Sequence, residues 1–488
     1  MKITTVDWLP VGLGVFCILV VTAFSSTPAA QYSAAQPAVA AAEIGSDAPQ
    51  VTGKVYETTL DNGLKVLVKI DRRAPIVTSQ VWYKVGSSDE HGGITGISHM
   101  LEHMMFKGSE RLAPGEFSRI IAAQGGEENA FTGRDYTAYF QTLAADRLAI
   151  ALELEAERMG HLALPPEEYV KELEVVKEER RLRTDDNPEA LTFEQFNAVA
   201  YVASPYRIPI IGWAGDLESM TLDDVRTWYQ RWYAPNNATL VVVGDVDPNT
   251  VFALAERTFG SLPAVSLTPT KPQPEPRQLG EKRLRVQTPA KSPYLLFGYK
   301  VPTLGETPDS WEPYALEMLA AVLDGGSSAR FRRELIRNQR VAASANARYN
   351  AVVRLPGMIL FSGIPAQEQT IAALEAAMLT EIERLRTEPV TETELERIRT
   401  QLIAEKVYEQ DSVFYQAMVL GQFETVGIGW QRAESYVDQL AAITAQQIQQ
   451  VANTYLIPEH RTRAVLDPLP LDEAAAAQLR SGEFVHVR

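Results

Sequence analysis

The chain has 488 residues, of which 46 are lysine or arginine and 62 are aspartate or glutamate, so its formal net charge is −16. Domains usually hold about 100–200 residues, so this length predicts at least two of them. Hydrophobic residues make up 45% of the chain and charged residues 22%, which is an ordinary globular composition. The negative charge excludes nucleic acid as an expected partner, since phosphate binding requires a basic face.

The first 42 residues have the composition of an export signal or a membrane anchor. Lys2 precedes an apolar run from Trp8 to Phe24, and residues 25–42 are mostly small. This order is typical of a signal peptide. The run of 17 residues is slightly short for a spanning helix, and an uncleaved anchor or a buried helix is the alternative. We expect an exported protein, either periplasmic or anchored to the membrane and facing the periplasm.

The single cysteine, Cys17, lies inside this apolar run. If the segment is cleaved, the mature chain has no cysteine, and therefore no disulfide and no thiol chemistry. Residues 31–53 are rich in Ala, Gln, Pro and Ser and predict a flexible lead-in. Hydrophobic cores alone must then stabilise the fold.

Regular structure is expected from about Val55. The turn Asp61-Asn62-Gly63 between two apolar segments predicts a β-hairpin. Apolar residues at helical spacing predict the helices of this half, and short apolar runs predict its strands. The expected strands are 55–60, 64–70, 76–85 and 239–244, and the expected helices are 96–106, 145–162, 166–183 and 221–232.

Five prolines lie between Leu262 and Arg277 and predict a stiff, extended linker. We place this linker at residues 263–285. It separates a first domain at 54–262 from a second domain at 286–470.

The second half repeats features of the first, which indicates a duplicated domain. Tyr83-Lys84-Val85 recurs as Tyr299-Lys300-Val301, and a Thr-helix-Pro pattern at 221–235 recurs at 444–458. The common offset of these matches is more persuasive than any single one. Helices and strands are grouped without regular alternation, which disfavours a purely parallel sheet. We therefore predict two copies of one α+β domain.

The segment His99-Met100-Leu101-Glu102-His103 carries the clearest chemical signal. Residues i and i+4 share one face of a helix, so His99 and His103 can bind the same ion. Two imidazoles and a carboxylate form a catalytic zinc set that leaves a fourth position for water. Glu102 lies beside them and can take a proton from that water. The alternative is a pair of surface histidines beside a glutamate, with no metal.

A helix further along the chain supplies the candidates for a third ligand. One of its faces is half apolar, carries Glu172 and Glu179, and is suited to packing toward a site. Glu178 falls on a face of charged residues that is typical of a solvated surface. This favours Glu179 over its neighbour.

The residues around the motif resemble the pitrilysin/insulinase family of zinc metallopeptidases, which carry the inverted motif His-x-x-Glu-His. The resemblance extends over nearly the whole chain after residue 53. It is strongest to bacterial members with two homologous domains and to the β subunit of the mitochondrial processing peptidase. The segments that carry it are 85–109, 125–139, 172–179, 205–212 and 235–245.

The resemblance implies one Zn²⁺ per chain with His99, His103 and Glu179 as ligands. It implies that Glu102 is the general base. Glu172 matches the family's second acidic residue, which would orient or assist the first. A simple surface glutamate is the alternative for Glu172.

The resemblance also implies that Asn129 and Ala130 lie on an edge strand beside the zinc. An extended peptide could pair with that edge, so that backbone hydrogen bonds position the scissile carbonyl. An ordinary turn asparagine is the alternative. The function expected from these residues is an endopeptidase acting on peptides or unfolded segments. A non-catalytic structural or assembly subunit, as in some relatives, and a peptide-binding module are the competing hypotheses.

The second half lacks the metal-binding residues. His99, Glu102 and His103 correspond there to Glu317, Ala320 and Ala321. The family resemblance further implies an Arg and a Tyr seven residues apart, and Ile336 and Ala343 occupy those positions. The chain is therefore expected to form half of a clamshell chamber. A zinc-free homologous chain would supply the missing groups in a heterodimer, and a homodimer is the alternative.

Overall fold

The computed structural model describes residues 53–268 and 271–471, and its eleven strands form two sheets. The strands are β1 (Val55–Thr59), β2 (Lys65–Ile70), β3 (Ile76–Tyr83), β4 (Glu127–Thr132), β5 (Thr137–Ala144), β6 (Ala238–Gly244), β7 (Lys282–Pro289), β8 (Tyr294–Val301), β9 (Ala342–Arg348), β10 (Gly357–Pro365) and β11 (Arg461–Leu469). The predicted signal peptide or anchor at residues 1–42 lies outside the described ranges. Within those ranges, each helix is either too short or too polar to cross a membrane.

Helices surround both sheets. They are α1 (Ile97–Met104), α2 (Glu116–Ala123), α3 (Leu148–His161), α4 (Pro166–Arg180), α5 (Pro188–Ala200), α6 (Ala214–Ser219), α7 (Leu222–Trp232), α8 (Pro248–Phe259), α9 (Glu312–Asp324), α10 (Ile371–Thr387), α11 (Glu392–Glu409), α12 (Val413–Thr425), α13 (Gln431–Ala441) and α14 (Ala445–Tyr455). There are also two π-helical segments: Arg181–Asp185 directly follows α4, and Phe331–Asn338 lies between α9 and β9.

The two sheets share one topology, which confirms the predicted pair of α+β domains. The first sheet has the order β1-β2-β6-β3-β5-β4, and the second has the order β7-β11-β8-β10-β9. The pairs β2–β6 and β7–β11 are parallel, and the other pairs are antiparallel. Once β1 is set aside, each strand of the first sheet has a counterpart at the same place in the second.

The predicted elements agree with the structure to within a few residues at their ends. β1 and β2 form the expected hairpin, and the helix expected at 96–106 is α1. The helix expected at 166–183 stops as an α-helix at Arg180, where the π-helical segment begins. β7 begins at Lys282, inside the segment predicted as a linker. The domain limits 54–262 and 286–470 remain predictions.

Each sheet buries one face against helices of its own domain. In the first sheet, alternate residues such as Val66, Val68, Val77 and Val81 are fully buried in the core of the first domain. This follows from the strand period of two, which places alternate side chains on one face. The second sheet has an equivalent core that contains Phe297.

The opposite face of each sheet is covered by a helix from the other domain. α12, from the second half of the chain, packs Ala417 and Met418 against Trp82 and Val241 of the first sheet. α5, from the first half, packs on the second sheet in the same way through residues including Phe196. Burial of this apolar surface stabilises the pair of domains as one unit. The two domains therefore interlock instead of meeting at a flat boundary.

We expect that Gly421→Ala destabilises the protein through this helix exchange. Gly421 lies in α12 directly over the indole of Trp82, and an added Cβ would overlap the ring. Trp82 is fully buried and donates a hydrogen bond of 2.9 Å to Gln80 Oε1, so it has little freedom to move. The overlap costs about 1–3 kcal/mol, more than the gain of about 0.5–1 kcal/mol from replacing a helical glycine.

Denaturant unfolding gives the change in the free energy of unfolding. Gly215→Ala in α6 is the matched control, because an added Cβ there meets no atom within 4 Å. The control should leave stability unchanged or raise it slightly. Equal behaviour of the two variants would show that α12 is not packed closely on Trp82.

Candidate metal centre

The N-terminus of helix α1 is held in place by a glycine and a buried glutamate. Gly96, which precedes it, has φ 86° and lies so close to Ile211 that a Cβ would be 2.5 Å from its carbonyl oxygen. Only glycine adopts this backbone without strain. The Glu90 carboxylate accepts hydrogen bonds from Gly96 N (2.7 Å) and Ser98 N (2.9 Å), which satisfies amides that the helix start leaves without partners. The start of the motif helix is thereby fixed in place.

Apolar residues orient α1 so that the motif faces α4. Met100, Leu101 and Met104 are fully buried in the first core, which leaves His103 and Glu102 on a half-buried face. The two imidazole rings lie 4.8 Å apart, centroid to centroid. The helical spacing predicted from the sequence is thus present.

Three side chains converge at this face. His99, His103 and Glu179 each offer one ligand atom, and these atoms lie within 4.8 Å of one another. Glu179 Oε2 is 3.7 Å from His99 Nε2 and 3.4 Å from His103 Nε2. Two imidazole nitrogens and one carboxylate oxygen are the donors of a catalytic zinc site with an open position. The residues present therefore fit a zinc ion.

Burial and mutual contacts shift the pKa values of all three side chains. Burial lowers the pKa of His99 to about 4, and the nearby His103 adds to the effect, so His99 is neutral at pH 7. Burial by itself would also lower the pKa of His103, but hydrogen bonds to Glu172 and Glu179 raise it to about 9. Burial by itself would raise the pKa of Glu179, whereas the bond from His103 and nearby positive charges lower it to about 2.

Glu102 lies next to the ligand group without belonging to it. Its Oε2 accepts a hydrogen bond of 2.5 Å from the Thr132 hydroxyl at the end of β4. Burial raises the pKa of Glu102 to about 7, against the effect of this bond and of His103. A carboxylate with a pKa near the working pH is suited to accept and return a proton.

Comparison with known proteins places this geometry in a family. The sequence model of the insulinase family, peptidase family M16, matches residues 65–213, and that of the peptidase M16 inactive domain matches residues 219–402. The zinc protease PqqE of Helicobacter pylori is 32% identical over 419 residues, which covers 85% of this chain and 93% of that protein. The chain belongs to peptidase family M16. The predicted resemblance is confirmed.

Solved structures agree. The crystal structure of a protease from Helicobacter pylori superposes with a TM-score of 0.81 at 32% identity, covering 85% of this chain and all of that one. A second sequence relative, an uncharacterised zinc protease of Mycobacterium tuberculosis, is 27% identical over 87% of this chain and 95% of its own length. A peptidase M16 inactive domain from Pseudomonas fluorescens, at 18% identity, shares the fold with a TM-score of 0.76.

Glu172, predicted as the second acidic residue of the M16 site, lies behind His103. Its Oε2 is 3.2 Å from His103 Nδ1, on the side of the ring away from Glu179. Its other oxygen pairs with Lys107 Nζ at 2.6 Å. A carboxylate on the outer nitrogen of a metal-binding histidine fixes the tautomer and the ring orientation. Lys107 lies in the segment 85–109 that carries the family resemblance, but its sequence position alone does not predict this contact.

At the end of α4, the side chains of the adjacent residues Glu178 and Glu179 have different partners. Glu178 has 41% of its side chain exposed and pairs with Arg181 at 2.6 Å, away from the histidines. Glu179 faces the histidines, and its second oxygen pairs with Arg183 from the π-helical segment. The family M16 spacing and the helix-face argument thus select the same residue. Arg183 was not among the predicted site residues.

Asn129 and Ala130 lie on β4, as predicted, and β4 is the edge strand of the first sheet. Ala130 is buried with 3% of its surface exposed, whereas the Asn129 Oδ1 accepts a hydrogen bond of 2.9 Å from Ala130 N. The same strand ends at Thr132, which contacts Glu102. An extended peptide on this edge would run beside the metal centre, and a role of Asn129 and Ala130 in binding it stays a prediction.

In the second domain, the positions that correspond to the ligands hold no equivalent group. Over residues 53–268 and 271–471, His99, His103 and Glu179 form the single cluster of this kind. Glu317, at the position of His99, accepts a hydrogen bond from the Tyr436 hydroxyl. This agrees with the match to the M16 inactive domain.

The candidate donors of the second domain are used locally. Ile336 is half-buried and Ala343 is exposed, and neither side chain can donate a hydrogen bond. The nearby Arg337 donates to Ser327 O at 2.9 Å, and the Tyr349 hydroxyl donates to Pro302 O at 2.6 Å. Arg337 and Tyr349 thus each bond to a backbone carbonyl, and their spacing differs from that of the family's Arg and Tyr.

We expect His103→Ala to lose the metal. Freshly purified wild-type chain should contain about one zinc ion, as in other sites of three protein ligands. His161→Ala is the control, because His161 is exposed and its nearest carboxylate is the exposed Glu110 at 3.6 Å. Elemental analysis gives the zinc content of the wild type and of both variants. Zinc-free wild-type protein, or full zinc content in His103→Ala, would contradict this assignment.

Proposed function

We propose that the chain is a zinc-dependent endopeptidase that hydrolyses peptides or unfolded protein segments. The observation that carries the proposal is the convergence of His99, His103 and Glu179 beside Glu102, a carboxylate left outside the ligand group. Membership of family M16 and relatives named as zinc proteases support it. A binding module or assembly subunit gives no reason to retain all four residues.

Zinc bound by these ligands would polarise a water molecule and the scissile carbonyl. Glu102 would take the proton from the attacking water and pass it to the leaving amine. Thr132 holds Oε2 of Glu102, so that Oε1 is the oxygen on which the proton would travel. Glu172 would hold the His103 ring through Nδ1 and keep Nε2 directed at the metal position.

The substrate class follows from the edge of the first sheet. β4 is hydrogen-bonded to β5 on one side only, so an extended peptide could add to its other side. The backbone of such a peptide, and not its side chains, would be held. A folded protein offers few free extended segments, which favours peptides and unfolded regions as substrates.

Glu102→Gln should separate catalysis from metal binding. The amide keeps the size of the side chain and a possible bond to Thr132 but cannot accept the proton. We expect normal zinc content and a kcat lowered about 10²–10⁴-fold, the usual contribution of a general base. Glu178→Gln, beside the ligand Glu179 but paired with Arg181 away from the histidines, is the matched control and should keep full activity.

These variants also decide between the proposed peptidase and an assembly subunit of the same family. A wild-type chain that binds zinc but cleaves no peptide under any condition would favour the subunit. Retained cleavage in Glu102→Gln would show that another group is the base.

We further propose that a second chain completes the site. The second domain supplies neither an Arg nor a Tyr at the family positions, and Arg337 and Tyr349 are bonded within their own domain. A developing oxyanion would then lack a donor from this chain. A zinc-free homologue carrying those residues fits this gap better than a second copy, which repeats Ile336 and Ala343.

We expect the purified chain alone to cleave peptides slowly and a zinc-free homologue to accelerate it about 10²–10³-fold, the effect of one oxyanion donor. Peptide cleavage is assayed with and without each candidate homologue, and light scattering gives the mass of the active species. Full activity in a strictly monomeric sample would contradict the split site. Activation by self-association alone would favour the homodimer.

A further inference from the structure

One arginine of the second domain reaches into the first domain. Arg354 lies in the loop between β9 and β10, and its Nη2 donates to Ser88 Oγ at 2.6 Å and to Asp89 Oδ1 at 2.9 Å. Its backbone N–H donates to Asp135 Oδ2 at 3.0 Å, and its Nε makes an ion pair with Asp135 Oδ1 at 3.4 Å. One residue thus contacts two separate segments of the other domain.

Neighbouring groups complete this contact. The Tyr206 hydroxyl donates to Asp135 Oδ2 at 2.5 Å and accepts from Leu355 N at 3.0 Å. Ser88 Oγ lies 2.9 Å from Asp135 Oδ1. We name Ser88, Asp89, Asp135, Tyr206 and Arg354 the interdomain cluster.

The charges of the cluster make Arg354 hard to replace. The side chains of Asp89 and Asp135 are only 3% and 1% exposed. Buried carboxylates are costly unless they are paired and hydrogen-bonded. The planar guanidinium donates in several directions at once, which a lysine ammonium does not reproduce with the same geometry.

The first of the two contacted segments leads into the motif helix. Asp89 is followed by Glu90, whose carboxylate caps α1 at Gly96 and Ser98. Asp89 Oδ2 also accepts from Gly86 N at 3.0 Å, which closes the loop on itself. A displacement of this loop would move the start of α1, and with it Glu102.

The second segment is the turn that leaves β4. Asp135 follows Thr132, the residue that donates to Glu102, by three positions. The two segments are also joined directly, since Ser87 N donates to Gly133 O at 3.2 Å and Ser88 N donates to Arg134 O at 2.8 Å. Arg354 therefore fastens the junction between the helix that carries Glu102 and the strand that carries its partner.

We propose that Arg354 is a positioning residue for the peptidase reaction, by which the metal-free second domain holds Glu102 and Thr132 in register. The inference rests on the proposed function. Docking of the domains does not require this side chain, because α5 and α12 already exchange large apolar surfaces between them. Arg354 instead contacts the two segments on which the alignment of the site depends.

The test compares Arg354→Met and Arg354→Lys with the control Arg348→Met in the full chain. Arg348 is an exposed arginine on β9, in the same domain, and contacts no carboxylate of the described chain within ion-pair distance. Three quantities are measured: kcat and KM for a peptide, zinc content, and hydrogen exchange of the metal-free protein.

We expect Arg354→Met to keep its zinc and its KM while kcat falls about 10–100-fold, the effect of a small misplacement of reacting groups. Arg354→Lys should recover only part of kcat. Amides of residues 86–104 and 127–136 should exchange faster in both variants. In the wild type, local opening of these segments must break the contacts of Arg354, and in the variants that cost is absent. Arg348→Met should match the wild type in every measurement.

Arg354→Met leaves two buried carboxylates without a cation and could fail to fold. The double variant Asp89→Asn/Arg354→Met removes one of those charges, should restore folding, and should keep the low kcat. A folded variant with wild-type kcat overturns the proposal, and so does unchanged exchange in both segments. If the wild-type chain cleaves no peptide, the proposed function fails, and the exchange comparison still decides whether Arg354 holds the two segments together.

Discussion

The packing of α1 against α4 is the contact on which the site depends. It carries Glu179 from a distant part of the sequence to within 3.4–3.7 Å of two imidazoles. Buried apolar residues on both helices hold this arrangement, among them Met100 on α1 and Val176 on α4. Two carboxylates, Glu172 and Glu179, flank His103, and their hydrogen bonds raise the pKa of its imidazole against the effect of burial.

The interlocked domains explain why a half without metal ligands is part of the same chain. α12 covers the outer face of the first sheet, and α5 covers that of the second. Neither sheet would be shielded from water on both faces without the other domain. The second domain thus stabilises the first by covering its sheet, and Arg354 adds a polar contact at the point where the site itself is assembled.

Sequence reasoning recovered what is local. His99, Glu102 and His103 lie within one turn of helix, so their common face follows from the helical period alone. Glu179 required the helix-face argument and the family resemblance. Thr132 and Arg354 could not be found in this way, because their contacts join residues 30 and 265 positions away and depend on strand register and loop path. The exchange of α5 and α12 was missed for a related reason: an apolar helix face indicates that it is buried, but not against which sheet.

The second domain repeats the sheet topology of the first but lacks its motif residues. At the position of His99, Glu317 is half-buried and accepts a hydrogen bond from the Tyr436 hydroxyl, so the polar group at this position has a partner within its own domain. This hydrogen bond offsets part of the cost of burying the carboxylate, although burial still raises the pKa of Glu317 above its usual value. Arg337 and Tyr349 likewise each donate one hydrogen bond to a backbone carbonyl of their own domain. Over the described residues, the cluster that could bind a metal therefore lies in the first domain. The second domain contributes to it through the packing of α12 and the contacts of Arg354.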